Sequence, residues 1–433
     1  MDDLAIIWDF AGFAVRWLHV VTAIAWIGSS FYFIALDLGL RRSPHLPAGA
    51  TGEEWQVHGG GFYHIRKFAV APAEMPEHLT WFKWESYATW LSGAALLMVV
   101  YWAGAELYLV DRAKADLATW QAVGLSALFI LSGWLGYDAL CRSPLRTKPT
   151  LVMLVLFAGI VAASWALNQV FTGRAALLHL GAMTATIMTA NVFAVIMPNQ
   201  RIVVADLKAG RTPDAKYGAI AKLRSTHNNY LTLPVIFLML SHHSPLLFGT
   251  ENAWIIAALT FLLGVLIRHF FNTMHAGGGR PWWTWGATAA VFVAIMGLAA
   301  APLWQRDTLE MSEARAPTGA AARFAAAPHF AEAADVVRGN CSMCHAREPA
   351  WDGLRWAPKG VLLETDADIA GHARQIYLQA GASHAMPPAA LQTITEADRA
   401  LLRRWYRAAA PQFAGAENSD SVVLRMAYGA AGR

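Results

Sequence analysis

Eight stretches of this chain are apolar over about twenty residues each, near 11–36, 84–104, 119–140, 151–172, 175–197, 228–247, 251–271 and 282–304. That is the length a helix needs to cross the ~30 Å hydrocarbon core of a bilayer. A backbone in lipid must satisfy its own hydrogen bonds, so such a pattern commits the chain to a helical bundle. The sixth stretch is the least regular, interrupted by Pro234, His242 and His243. Composition agrees: charged residues are 15%, against roughly 25% in soluble domains. Nineteen tryptophans suit two membrane–water interfaces, where the indole is at home. A net charge of +4 is too close to balance for nucleic-acid binding. The acidic start, MDDLAIIWDF, lacks the basic region of a cleavable leader, so none is expected.

Loop charge sets the orientation. Fifteen Lys and Arg, from Arg41 to Arg280, fall in the first, third, fifth and seventh loops; the remaining loops hold Arg112, Lys114 and Arg174. Positive loops stay in the cytoplasm. The chain therefore reads as a multi-pass membrane protein, with both termini on the side away from the cytoplasm.

Residues 1–304 read as the membrane domain, 305–328 as an Ala-rich linker, 329–412 as a small soluble domain and 413–433 as a tail. The soluble part carries Cys341-Ser342-Met343-Cys344-His345. This C-x-x-C-H spacing lets two thiols bond a haem while the adjacent imidazole ligates its iron. One covalent haem c is expected, with His345 as one axial ligand. Met386, in a Met-Pro-Pro sequence, is the expected second ligand; a thioether raises the potential, as suits an electron acceptor. His372 and His384 are rivals for that role. A zinc site would need a second ligand pair, and Cys141 stands alone. A helix over 331–338, and Thr395 to Asp398 as a capping box before Leu401, Leu402 and Trp405, make the region similar to class I cytochrome c. The fold class expected is all-α: an eight-helix transmembrane bundle followed by that domain.

Ionisable side chains within a bilayer default to functional readings. His19, His179, His242 and His243 all fall in the outer half. They are candidate ligands of a b-type haem, or hydrogen-bonded packing residues. A second cluster falls on the cytoplasmic side. It includes Trp55, His58, Tyr63, His64 and Lys67 in a first loop of over forty residues, then Trp81 to Tyr87, Asn191, Asn199 to Arg201, and Arg224 to Tyr230. Amide, guanidinium and imidazole donors beside aromatic faces suit a flat polar heterocycle; the alternative is an interfacial belt. His58-Gly59-Gly60-Gly61 has the look of an esterase oxyanion loop, but no G-x-S-x-G nucleophile elbow accompanies it. The glycines also lack a P-loop lysine.

Nearly the whole chain resembles the integral membrane urate hydroxylase family. The resemblance rests on Trp55-Gln-Val-His58-Gly-Gly-Gly-Phe62-Tyr63, on Trp81-Phe-Lys-Trp-Glu85-Ser-Tyr-Ala-Thr-Trp90-Leu-Ser-Gly93, on Ser225-Thr-His227-Asn-Asn-Tyr230 and on the C-terminal haem motif. It implies oxidation of urate to 5-hydroxyisourate in purine breakdown. Electrons would pass to the attached haem c and on to a periplasmic cytochrome or terminal oxidase, with no peroxide formed. Set against that reaction, Glu85, His58 and Lys83 form the candidate catalytic set, with Glu85 or His58 as base. Lys67 and Arg201 are candidate holders of the urate anion, with His227 and Asn228 beside them. Helix 1, through His19, Trp26-Ile27-Gly28 and Phe31-Tyr32, is also similar to membrane protoporphyrinogen oxidases and to copper-resistance membrane proteins. Two other classes stay open: a non-catalytic electron-transfer subunit fed by quinol or a partner enzyme, and a copper or small-molecule transporter.

Overall fold

The computed structural model of the chain describes residues 2–68, 72, 75–112, 114–304, 316–317, 319–351, 354, 357–387 and 394–409. Half of the expected linker (305–315 and 318), the whole expected tail and Pro388 lie outside them. Contacts divide the chain into two compact units, 1–311 and 312–433.

The first unit opens with α1 (Asp2–Gly39), then a hairpin of β1 (Ala50–His58) and β2 (Gly61–Phe68). Next come α2 (Trp84–Leu96), extended by a π-helical turn at Leu97–Trp102, the short α3 (Ala105–Tyr108), α4 (Thr119–Arg142) and α5 (Pro149–Val170). Helix α6 (Gly173–Ala190) runs through a second π-helical turn, Asn191–Ile196, into α7 (Met197–Lys208). The unit closes with α8 (Ala215–Ser241), the short α9 (Pro245–Phe248), α10 (Ala253–His275) and α11 (Trp283–Trp304). Among the described residues, six helices are long and apolar enough to cross a membrane: α1, α4, α5, the continuous α6–α7, α10 and α11. Segments α2 and α8 are helical where the sequence expects spans, but fall short of that apolarity. For α8 the reason is visible: His227, Asn228, Asn229 and Thr232 are buried in the bundle.

Helix α6 lies at the centre. Leu177, Leu180 and Met188 are fully buried, packed with Leu167 of α5 and Leu238 of α8. Its small residues allow close approach, the usual basis of helix association where lipid offers no hydrophobic drive. The outer face of α1 is the opposite: Phe10, Phe13, Trp17 and Ile24 are all exposed, a surface matched to acyl chains.

The hairpin corrects the expectation of an all-helical chain with an irregular first loop. The strands pair antiparallel, Trp55 opposite His64 and His58 opposite Gly61. Gly59 and Gly60, at φ 59° and 80°, make a two-residue turn that needs positive φ at both positions. The glycines of the His-Gly-Gly-Gly sequence therefore serve a turn and not an oxyanion. Alternation gives the hairpin two faces. Glu53 receives hydrogen bonds from His64 Nε2 (2.7 Å) and Arg66 Nε (3.4 Å), and Trp55 stacks on His64 at 4.1 Å. The His64 bond, ahead of the other contacts, holds the Glu53 carboxyl below its ordinary range. The other face, with Glu54, Gln56 and Lys67, lies against the end of α1, where Lys67 pairs with Asp37 and Tyr32 Oη donates to Gln56 Oε1 at 2.7 Å.

The second unit contains α12 (Ala320–Ala325), α13 (Phe330–His345), α14 (Asp366–Gly371), α15 (Ala373–Ile376) and α16 (Glu396–Ala409). Its core joins Phe324, Phe330, Val337, Ile369, Leu402 and Trp405. Residues 320–325, expected as linker, are thus part of this unit: Trp405 Nε1 donates to the Phe324 carbonyl at 2.9 Å. Thr395 and Asp398 form the reciprocal bonds of a capping box at the start of α16. Those bonds hold the Asp398 carboxyl below its usual range.

Candidate functional site

Two polar features occur in the first unit. One is a buried network among α4, α8, α10 and the Asn191 turn. Arg224 donates to Asp138 Oδ1 (2.6 Å) and Asn191 Oδ1 (3.1 Å), with its guanidinium 4.9 Å from the Tyr137 ring centre. Asn191 Nδ2 donates to Tyr137 Oη (3.1 Å) and Asn228 Oδ1 (2.9 Å), and Tyr137 Oη lies 2.8 Å from His227 Nδ1. Further along, Arg268 donates to Asn229 Oδ1 and Asn272 Oδ1 at 3.0–3.2 Å and sits 4.4 Å from the Phe31 ring centre. It pairs with no carboxylate among the described residues. The Asn229 Nδ2 is buried and without a partner.

The other feature is a cavity of about 320 Å³ where the ends of α1 and α10 meet β1. Tyr32, Ala35, Leu36 and Gly39 line it from α1, Glu54 and Gln56 from β1, Met274 and His275 from α10, with Arg41 completing it. Gln56 Nε2 donates to Glu54 Oε1 at 3.2 Å. Glu54 Oε2 and His275 Nδ1 are both buried without a hydrogen-bond partner. Buried polar atoms are rarely left so, and a ligand or water is the usual completion.

The expected residues scatter around these features. His227 and Asn228 belong to the buried network. Lys67 is engaged with Asp37. His58 is exposed at the hairpin tip and Arg201 exposed on α7. Lys83 caps α2 with its ammonium 5.5 Å from the Trp84 ring centre, and Glu85 is in that helix's first turn. The sequence reading missed Glu54, His275, Tyr137, Asp138, Arg268 and Asn272. Asp138 and Arg268 fall inside expected spans, and their charge was the available signal.

The four candidate haem histidines of the first unit are each held differently. His19 Nδ1 donates to the Thr89 carbonyl at 3.0 Å, which leaves its lone pair on Nε2. Both nitrogens of His179 are engaged, Nδ1 with the Ala175 carbonyl and Nε2 with Ser126 Oγ, each at 2.7 Å. His242 and His243 lie ring to ring at 3.8 Å, with His242 Nδ1 buried and unpartnered. Among the described residues, no three His, Cys, Asp or Glu side chains converge as a metal site.

In the second unit, the Cys-x-x-Cys-His sequence forms the last turn of α13, and both thiols are free. His345 Nδ1 donates to the Val361 carbonyl at 2.9 Å. That bond fixes the tautomer and turns the Nε2 lone pair into a ligand, the arrangement metal-bound imidazoles favour. Burial, and then the neighbouring Cys344, push the Cys341 thiol up to about 11. The Met386 loop is tied down from α16: the buried Arg399 donates to the carbonyls of Ala380 (2.6 Å), Ser383 and Met386 (both 3.1 Å). The Met386 side chain is 37% exposed, as is that of Met343. Of the rival ligands, His372 bonds its own helix at the Asp368 carbonyl and His384 pairs with Glu396. A free thiol pair, a tautomer-fixed imidazole and an uncovered thioether are a donor set that fits a covalent haem.

No curated protein matches the chain, and no solved structure does. The family model described as urate oxidase N-terminal matches residues 5–299. That match takes in α1, the hairpin, the buried network and the cavity. The chain belongs to the urate oxidase N-terminal family, and a urate-related oxidoreductase function follows from that membership.

Proposed function

We propose that the chain is a membrane-bound urate hydroxylase that delivers its electrons to a covalent haem c in its own second unit. The observation that carries this reading is the urate oxidase match over 5–299 in a chain that continues into Cys341-Ser-Met-Cys344-His345. The urate monoanion and one water become 5-hydroxyisourate, two electrons and one proton. A C5–O bond forms and a water O–H bond breaks. Cys341 and Cys344 would hold the haem covalently, His345 and Met386 would ligate its iron, and the bound group would supply one-electron acceptance. Electrons then go on to an external periplasmic cytochrome or terminal oxidase.

Urate binding on the cytoplasmic side and a periplasmic haem c leave about a bilayer's ~30 Å between donor and acceptor. A redox carrier held in the bundle would close that gap. His19, with its lone pair on Nε2, and the His242–His243 pair are the side chains best suited to hold a b-type haem; His179 would first have to give up Ser126. The test is an anaerobic visible spectrum of oxidised, detergent-purified protein before and after urate. Appearance of the cytochrome α-band with urate, and not with xanthine, supports the reading; a second, red-shifted band supports the b haem. Reduction by dithionite or a quinol but not by urate overturns it in favour of an electron-transfer subunit.

A further inference from the structure

We infer that the ring of the substrate occupies the cavity between α1, β1 and α10, and that Glu54 is the base that takes the proton released as water adds. This rests on the urate reading above and names where that chemistry happens.

Four observations converge. The cavity, at about 320 Å³, has room for a bicyclic purine and an attacking water. Two of its polar atoms, Glu54 Oε2 and His275 Nδ1, are buried and unpartnered. Leaving such groups unsatisfied costs about 1–3 kcal/mol each, a cost that a ligand with N–H and C=O groups removes. Glu54 is also aimed. Tyr32 Oη donates to Gln56 Oε1, and Gln56 Nε2 donates to Glu54 Oε1. The relay occupies one carboxylate oxygen and leaves the other for the cavity. Finally, space is reserved for it: a Cβ on Gly39 would stand 2.8 Å from Glu54 Oε2.

Charge is consistent with an anionic ligand. Arg41 also lines the cavity, and His275 adds a polar nitrogen. Arg268, Asn272 and His275 fall at i, i+4 and i+7 on one stripe of α10. The uncompensated Arg268 cation therefore lies on the same helix face, deeper in the bundle. In the step itself, the water oxygen bonds C5, its proton passes to Glu54 Oε2, and two electrons leave the ring for one-electron acceptors.

The test uses the full-length protein in detergent, with labelled urate in equilibrium dialysis and urate consumption measured with an artificial one-electron acceptor. Glu54→Gln is expected to bind urate within about threefold of wild type while turnover falls on the order of 10²-fold or more. Glu54→Asp is expected to recover part of that loss. Ala35→Phe, which fills the cavity without touching a polar group, is expected to abolish binding. Glu54→Gln turning over within threefold of wild type overturns the assignment of the base. Ala35→Phe binding urate normally overturns the cavity, and decides the matter even if Glu54→Gln does not fold. Wild-type protein that neither binds nor consumes urate overturns the urate reading itself, a result distinct from either.

Discussion

Arg224 shows how a single residue carries the buried network. Its guanidinium bonds Asp138 on α4 and Asn191 at the π-helical turn, and covers the Tyr137 ring. Replacing it with Met leaves the Asp138 carboxylate with only Arg142, 2.7 Å away and largely exposed. Breaking a buried pair from one side costs about 3–5 kcal/mol. Arg224→Met is therefore expected to lower the melting temperature in detergent sharply, and the double variant with Asp138→Leu to recover much of the loss. Cys341 offers a second residue-scale test. Burial raises its thiol to about 11, above the ordinary thiol range, so the reactive thiolate is scarce near neutrality. In haem-free protein, alkylation of Cys341 at pH 8 is expected to lag that of free cysteine and to catch up only as pH approaches about 11. Equal rates at pH 8 would contradict the burial. At this scale the Cys-x-x-Cys-His spacing could be read directly, because its information is local in sequence. The network was not. Tyr137, Asp138, Arg268 and Asn272 meet their partners across helices, and a single sequence carries no pairing between helices.

Among the elements, the hairpin was the one misread. Its signal was present: two runs rich in aromatic and β-branched residues around a glycine pair, the pattern of a two-residue turn. The stretch was read as part of a long first loop, and the alternation of TGEEWQVH against GFYHIRKF went unused. Gly60 at φ 80° gives the discriminating experiment. A side chain in the left-handed region costs roughly 1–2 kcal/mol, and a β-branched one is worse placed still. Gly60→Val is expected to open the hairpin, seen as new protease cleavage near residue 60, while the helices keep their circular dichroism. Because β1 carries Glu54 and Gln56, urate turnover should fall with it. Helix α8 is a different case. Its position is where the sequence put a span, but the polar residues that weaken its hydropathy are those it buries inside the bundle.

For the whole molecule, the basic residues of the loops predict an orientation that a fusion experiment can test. The N-terminus and the second unit are expected on the periplasmic side. A C-terminal alkaline phosphatase fusion should be active and the same fusion placed after Arg211 inactive; the reverse pattern would invert the topology and move the cavity to the outer face. The inclusion of 320–325 in the second unit depends on Phe324 finding Trp405, a contact that composition does not encode.

The helix from Gly173 to Lys208 contains one turn that is wound wider than its neighbours, at Asn191–Ile196. A turn of this kind accommodates one residue more than a regular α-helix. It works as a phase shifter: each residue advances the helix by about 100°, so everything after it is rotated by that amount. Asn191 faces the bundle interior at the start of the shift, and Asn199 to Arg201 emerge at the angle the shift dictates. Deleting a single residue between 192 and 196 would restore a uniform helix and swing that whole C-terminal end to a different face. An insertion elsewhere in the same helix could not compensate without displacing Asn191 from Arg224 and Tyr137. The length of this helix is therefore fixed to the residue, although most of its side chains are ordinary and replaceable.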